Sequence, residues 1–428
     1  MRNRQSCRHP TSDTQRTARV RYSCCVPPSL RAPSLAFVVA LASCGSGLAI
    51  TGAAPDPVSP GSTLAVQGAG FADGLELSLQ DGATSIRLQG VVVVGPAIAR
   101  ATVPDAAPPG TYELRATLAG TSASFPGVRV VAGGARVHFL DVGQGDATLV
   151  IAPGGETLLI DGGPSDAAGV MRAAIDELAG GRLDAVILTH PHADHLGGMV
   201  PLLAGEDRVP GTPDDLVPTT RLSYLDDGQC TSDLCGQARG LRAWPFTVAA
   251  AGDSFALGDV EVAIVASDGD VGFGRTAGVD GENERSVATL ITFAGKTVLV
   301  LGDLTGGGEG EADVEGPLSS RTGPVDLLRT GHHGSDTSSS AAALAAWQPR
   351  GLLLSLGTDN QFCHPSDGAF ARLLATGAPM WSTGAGTVLD VNRCGATTDW
   401  PANAHPGQGT IRLDLGIDGS LVINGQTL

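Results

Sequence analysis

Three histidines and an aspartate fall within six consecutive positions, His190-Pro191-His192-Ala193-Asp194-His195. Imidazole and carboxylate are natural ligands for zinc, manganese or iron. In extended backbone alternate residues share a face, so His190 and His192 can grip one ion. Asp194 and His195 stand where the chain turns into a helix and can grip a second. Two divalent ions about 4 Å apart can share a hydroxide and clamp both oxygens of a displacement. Metal binding also brings the pKa of water down to about 7, giving a nucleophile at neutral pH. The chemistry expected is therefore hydrolysis by a two-metal-bound hydroxide. A lone histidine is usually a surface or core residue, but four ligand-type side chains this close are hard to explain that way. Outside the cluster the chain has only His9, His138, His332, His333, His364 and His405.

The elements around the cluster support that reading. Leu183-Asp184-Ala185-Val186-Ile187-Leu188-Thr189 is almost continuously apolar and predicts a strand buried on both faces. The histidines follow at its end, where ligand sites of α/β sheets usually lie. Gly197-Gly198 then permit close backbone approach. A second buried strand, Thr297-Val298-Leu299-Val300-Leu301, ends in Gly302-Asp303 and so delivers a carboxylate; alone, that Asp could equally be a helix cap or turn residue.

Beyond Gly133-Gly134 the pattern alternates strands with helices, as in an α/β protein. Strands are expected at 137–142, 147–152, 157–161, 184–189, 260–266, 287–293, 296–302, 325–330, 351–356 and 410–415, with Ala294-Gly295 as a hairpin turn. Helices are expected at 166–179, 338–347 and 366–375, and the acidic, Pro-rich stretch 205–245 reads as a long loop near the site.

The N-terminal third differs. Residues 1–33 carry seven Arg and one Asp, and a short apolar run, Leu35–Leu41, ends in small residues. That is the layout of a secretory signal over 1–43. Leu41-Ala42-Ser43-Cys44-Gly45 resembles a bacterial lipobox, with Cys44 as the lipidated first mature residue. Loss of those seven Arg and one Asp takes the net charge from −17 to −23. So acidic a protein repels nucleic acid and anionic lipid, which disfavours dedicated DNA binding. No apolar run reaches the roughly 18 residues of a spanning helix, so membrane association is expected through the lipid anchor alone. Cys230, Cys235, Cys363 and Cys394 remain as an even set, suggesting disulfides in an oxidising compartment, with three connectivities open.

Residues 45–60 are Gly-, Pro- and Ser-rich and read as a linker; short β-like runs then continue to about Val131. The segment 45–133 is expected to be a small all-β sandwich, resembling immunoglobulin-like modules of the IPT/TIG type at Pro60-Gly61-Ser62 and Gly68-Ala69-Gly70-Phe71. It reads as a spacer, with carbohydrate or protein binding as the alternative.

His-x-His-x-Asp-His is the signature of the metallo-β-lactamase superfamily, and the surrounding motifs resemble the C-terminal hydrolase domain of ComEC competence proteins. They are Leu140-Asp141-Val142-Gly143-Gln144-Gly145-Asp146-Ala147, Leu159-Ile160-Asp161-Gly162-Gly163, Glu282-Asn283-Glu284-Arg285-Ser286, Leu301-Gly302-Asp303, Gly331-His332-His333-Gly334-Ser335, His364-Pro365-Ser366 and the closing hairpin from Gly409 through Gly419. Phosphorylcholine esterases of the same superfamily share much of the pattern. The resemblance covers about 135–428 and implies an αββα metallo-β-lactamase fold. It implies one metal on His190, His192 and either His332 or His333, a second on Asp194, His195 and His364, and Asp303 bridging. The other histidine of the 332/333 pair would stabilise charge on the substrate, and Asn283 and Ser286 would orient substrate or water. Asp146 and Asp161 read as braces beneath the metals, His138 as core, His405 as surface, and Cys363 as a clamp on the His364 loop.

The function expected is an exported, lipid-anchored, monomeric hydrolase of small or polymeric phosphate esters, with two divalent metals, zinc ahead of manganese or iron. ComEC's fused membrane channel has no counterpart here, so DNA import does not carry over. A lactamase or lactonase is the rival of the same fold. It is disfavoured because those enzymes usually place a ligand histidine ahead of the bridging Asp, where this chain has Asn283. A non-catalytic surface-binding lipoprotein is the rival of another class.

Overall fold

The computed structural model describes residues 47–428 except 55–57, 61, 83, 105–106, 109, 131–132, 206, 208, 210–211, 213–214, 226–246, 388–393 and 395–397. Residues 1–43, Cys44, Cys230 and Cys235 lie outside the described residues, and with them the signal and lipidation expectations and any disulfide made by Cys230 or Cys235. No helix among the described residues is long and apolar enough to cross a membrane.

From residue 49 to 130 the chain forms two four-stranded antiparallel sheets. One runs in the order Ala49–Ala54, Thr63–Ala69, Ile98–Thr102, Gln89–Gly95, the other Thr84–Arg87, Glu76–Asp81, Gly110–Leu118, Thr121–Val130. Alternate residues point inward: Leu64 and Val66 from the first sheet meet Leu77, Leu79, Leu114 and Ala116 from the second in one core. The stretch expected as a linker corrects to a strand in part. Ala49–Ala54 pairs with Thr63–Ala69 because its small apolar residues fit a half-buried edge.

The rest of the chain builds two mixed sheets packed face to face. One runs Thr247–Val248, Thr220–Ser223, Ala185–Ile187, Thr157–Ile160, Thr148–Ile151, Gly134–Phe139, Ile411–Gly416, Leu421–Ile423, Gln426–Thr427. The other runs Ser254–Leu257, Val260–Ala266, Ala288–Phe293, Lys296–Val300, Leu327–Arg329, Gly351–Leu354, Met380–Ser382, Ala404–His405. The strand sequences explain the layering. In Lys296–Val300, Val298 and Val300 enter the core between the sheets, while Leu299 faces the opposite side. In Thr157–Ile160, Leu158 and Ile160 point between the sheets and Leu159 points out. Strands apolar on both faces must be covered on both. Met171 and Ile175 of the helix Ala168–Ala179 cover one outer face. Trp347 of Ala341–Trp347 and Leu373 of Asp367–Ala375 cover the other. Each such aliphatic side chain contributes roughly 1.5–3 kcal/mol by leaving water. The result is an αββα sandwich of layers behind a β-rich segment.

The two parts touch through polar contacts. Arg136 on the outer face of Gly134–Phe139 is buried and donates to Ser62 Oγ at 3.3 Å. Arg100 reaches the carbonyl of Gly180 at 3.4 Å. Two further expectations change. Residues 205–245 are not wholly irregular, because Thr220–Ser223 adds a parallel strand beside Ala185–Ile187. A helix not expected from sequence, Glu315–Thr322, carries Gly316 and Pro317, which read as a turn. A proline in the first turn costs nothing, since its missing N–H would have no helical partner there.

Candidate metal centre

The candidate ligands all follow strand ends at one edge of the two sheets. His190 follows Ala185–Ile187, Asp161 follows Thr157–Ile160, Asp303 follows Lys296–Val300, the pair His332–His333 follows Leu327–Arg329, and His364 comes after Gly351–Leu354. Parallel pairing within each group brings these ends together. A backbone bond from Val287 N to Thr189 O, 3.0 Å, ties the two sheets at this edge. Gly302 lies against Thr189 at a positive φ of 58°, where a Cβ would approach the Thr189 side chain to 2.8 Å. Only glycine lets the strand turn there and deliver Asp303.

Each inner imidazole is oriented by what its Nδ1 does. His195 Nδ1 donates to Asp161 Oδ2 at 2.7 Å, and Asp161 is itself fixed by the amide and hydroxyl of Thr189 at 2.8 and 2.7 Å. His333 Nδ1 donates to the Ser355 carbonyl at 2.8 Å, an acceptor with no alternative role. His190 Nδ1 lies 3.1 Å from Thr189 Oγ1 and 3.3 Å from Ser286 Oγ. These bonds turn the Nε2 atoms of the three rings toward Asp303. Around Asp303 the distances are 3.3 Å for His195 Nε2, 3.6 Å for His190 Nε2, 3.7 Å for His333 Nε2 and 3.8 Å for His332 Nε2.

The ligand atoms form overlapping groups: His190, His192 and Asp303; Asp194, His195 and His333; Asp146, Asp303 and His333; and Asp146, Asp161 and His195, so that Asp303 and His333 are each shared. His333 Nε2 stands 3.3 Å from Asp194 Oδ2, and His190 Nε2 stands 3.0 Å from His192 Nδ1. The buried atoms His195 Nε2, His333 Nε2 and Asp303 Oδ1 have no hydrogen-bond partner. Buried polar atoms left unpaired are costly. Unpaired nitrogen and oxygen atoms converging from imidazole and carboxylate are what divalent cations would satisfy, so the residues fit such ions.

Charge agrees with the geometry. Burial opposes ionisation of Asp303, but His195, His333 and His332 hold its carboxyl well below the usual range. Burial likewise opposes a charged His195, yet Asp303 and Asp161 hold its imidazole well above the usual range. Burial, and then His195, keep His190 well below it. Burial and its histidine neighbours push His364 down to about 4.

The grouping differs from the expectation in two places. His333, not His364, joins Asp194 and His195. Sheet order contributes: Leu327–Arg329 lies next to the strand that leads to Asp303, whereas His364 sits in the loop that follows Gly351–Leu354, a strand one place further out, and neighbouring strands are about 4.8 Å apart. The left-handed backbone at His332 and His333, φ 44° and 51°, turns the latter inward. Neither histidine of that pair joins His190 and His192, while His332 stays at the mouth with Nδ1 2.7 Å from Thr337 Oγ1. His364 packs against these rings, 5.8 Å from His332 and 6.4 Å from His333, with Nδ1 3.3 Å from Ser366 Oγ. Asn283 Nδ2 reaches His332 at 3.4 Å. Ser286 is fully buried, accepting from Asp303 N at 3.2 Å, so it positions ligands rather than touching substrate. Cys363 and Cys394 are disulfide-bonded, which ties down the segment carrying His364.

Arg329 and Thr189 escaped the sequence reading. Arg329 is fully buried, pairs with Asp146, and donates to the carbonyls of Gly302 and Thr330, both at 2.8 Å. Burial brings its pKa down to about 9. Its signal was available: an arginine closing the apolar run Val325–Leu328 needs a buried partner. Asp146, so paired, braces the site from below, its amide bonded to Asp194 O at 3.0 Å.

Residues 140–358 match the family model described as the metallo-beta-lactamase superfamily. The chain is 28% identical over 245 residues to recombination protein 2 of Haemophilus influenzae, covering 56% of this chain and 26% of that protein. It is 43% identical over 98 residues to a hydroxyacylglutathione hydrolase of Acidiphilium cryptum, covering 22% of this chain and 38% of that one. The matches thus span well under half of either relative. Among solved structures, a metallo-β-lactamase from Hirschia baltica is 12% identical with a TM-score of 0.24, covering 54% of this chain and 80% of that one.

Proposed function

The chain belongs to the metallo-β-lactamase superfamily of metal-binding hydrolases, and from that premise we propose that it is an exported, lipid-anchored enzyme that uses two divalent metals, zinc foremost, to cleave phosphodiester or other phosphate-ester bonds. One observation carries the choice of bond. The set formed by His190, His192 and Asp303 has no third histidine, and Asn283 stands beside His332 near that position. Three protein ligands leave a place for a substrate oxygen. The ComEC-type motifs and the match to recombination protein 2 support the same reading.

When bound, the metals would supply Lewis acidity and an acidified water. The chain's own residues do the rest. His190, His192 and Asp303 would hold one ion and Asp194, His195 and His333 the other. Thr189, Asp161, Ser286 and Ser355 keep the three inner imidazoles in the tautomer that presents Nε2. His332, at the mouth with Nδ1 on Thr337, offers Nε2 toward charge building on a substrate oxygen.

The test is metal analysis of the purified protein together with turnover of bis(p-nitrophenyl) phosphate with and without chelator. Two metals per chain and chelator-sensitive hydrolysis are expected. A protein holding stoichiometric metal yet inert toward phosphodiesters and nucleic acid overturns the proposal. The hydroxyacylglutathione hydrolase match favours a second reading, an acyl-ester, lactone or lactam hydrolase. Faster turnover of thioesters, lactones or lactams in the same assay would select it.

A further inference from the structure

Among the described residues, Phe362 is a large apolar side chain exposed next to the candidate metal centre. It remains 53% exposed, yet its ring lies parallel to that of His364, 5.9 Å between centroids and 20° between planes. The His364 ring is in turn nearly parallel to that of His333, at 6.4 Å and 19°. Three near-parallel rings therefore lead from a candidate ligand outward to solvent. The segment that holds Phe362 is braced on several sides. Asn360 bonds His364 twice, through His364 N to Asn360 Oδ1 at 2.9 Å and Asn360 Nδ2 to His364 O at 2.7 Å. Cys363 is bonded to Cys394, and Ser366 N donates to Gly334 O at 2.9 Å. Cys363 adopts a left-handed φ of 60°, which only a well-supported loop sustains.

An exposed phenyl held rigidly at a reaction site loses little conformational entropy when something stacks on it, and its exposed face gains by leaving water. A flat ring fits that face. A quaternary ammonium would call for several aromatic walls, whereas among the described residues the one ring contact of Phe362 is with His364. We propose that Phe362 is a specificity-determining stacking platform for a planar aromatic group, such as a nucleobase, of the substrate. This rests on the phosphate-ester reading for the bond cleaved, but the platform itself depends only on ring geometry.

Equilibrium binding to the zinc-loaded protein, measured by calorimetry, tests it with adenosine 5′-monophosphate, ribose 5-phosphate and adenosine. The monophosphate should bind more tightly than ribose 5-phosphate by about 5- to 150-fold, the range that one base–aromatic stack contributes. Phe362→Ala and Phe362→Leu should erase that preference, and Phe362→Trp should keep it. No preference in the unmodified protein, or one that survives Phe362→Ala, overturns the platform. If phosphodiesters are hydrolysed without base preference, the platform fails and the phosphate-ester reading stands. If adenosine binds as tightly as its monophosphate, the base preference depends on Phe362 and no phosphodiester is cleaved, the phosphate-ester reading fails and the platform stands.

Discussion

Asp161 is fully buried, yet it controls two ligand-bearing segments at once. One oxygen takes the amide of Thr189; the other takes the Thr189 hydroxyl and the His195 ring. Asp161→Ala frees the His195 tautomer and should weaken metal binding by about 10- to 100-fold. Competition with a fluorescent zinc chelator measures this, and unchanged affinity would refute the role. Protons report on the same residue. In the metal-free protein Asp303 and Asp161, overcoming burial, raise the pKa of His195. A raised imidazole pKa stabilises the fold fully below its unfolded value and progressively less as pH rises through the folded one. A cation binding Nε2 must displace that proton, so zinc titrated into weakly buffered protein should release protons, and affinity should rise with pH. Uptake without proton release contradicts this. The cluster at 190–195 was legible in sequence because its ligands are neighbours along the chain. The partition of His332, His333 and His364 was not, because it depends on which strands are adjacent and on two left-handed residues.

Elements carry their own predictions. The strand Gly134–Phe139 puts His138 on its outer face, opposite Arg412 and two positions from Arg136. Burial, then those arginines, lower its pKa to about 3. The unfolded chain takes up this proton near pH 6.5 and the folded chain only near 3, so stability falls as pH drops through that window. The loss is on the order of a few kcal/mol. His138→Gln should therefore retain more of its neutral-pH stability at pH 4 than the unmodified protein does, as read by denaturant titration at both values. Equal losses in the two proteins would show that His138 is not the group responsible. The Cys363–Cys394 disulfide spans 31 residues. Cys394→Ser should cost about 2–4 kcal/mol, and because the bond anchors the Phe362 segment, it should also weaken discrimination between aromatic and aliphatic esters. Strands buried on both faces were legible as continuous apolar runs, as with Val298, Leu299 and Val300. The helix Glu315–Thr322 was not, because Gly316-Pro317 breaks the local pattern while tertiary contacts overrule it. Glu315 is buried and accepts the amides of Ser339 and Ser340, both at 2.7 Å, in the loop behind His332.

At the scale of the whole molecule, charge decides which substrates arrive. The chain carries 44 acidic against 27 basic residues, a net charge of −17. A nuclease that captures polyanions through a basic surface loses affinity as salt rises, because counterions compete for the phosphates. Here the sign reverses: the protein's own field opposes a polyanion, and salt screens that repulsion over a length of about 10 Å at 0.1 M. For a long single-stranded nucleic acid, kcat/KM should therefore rise between low and moderate ionic strength. For a small diester with one negative charge it should change much less, since fewer charges meet the field. Parallel assays at two salt concentrations separate the cases. A kcat/KM on polymer that falls steeply with salt would mean that a local basic track overrides the global charge, and would move the substrate toward nucleic acid. The expected rise would instead direct the search to small phosphate esters, where the proposed aromatic platform at Phe362 can supply the selectivity that long-range attraction does not.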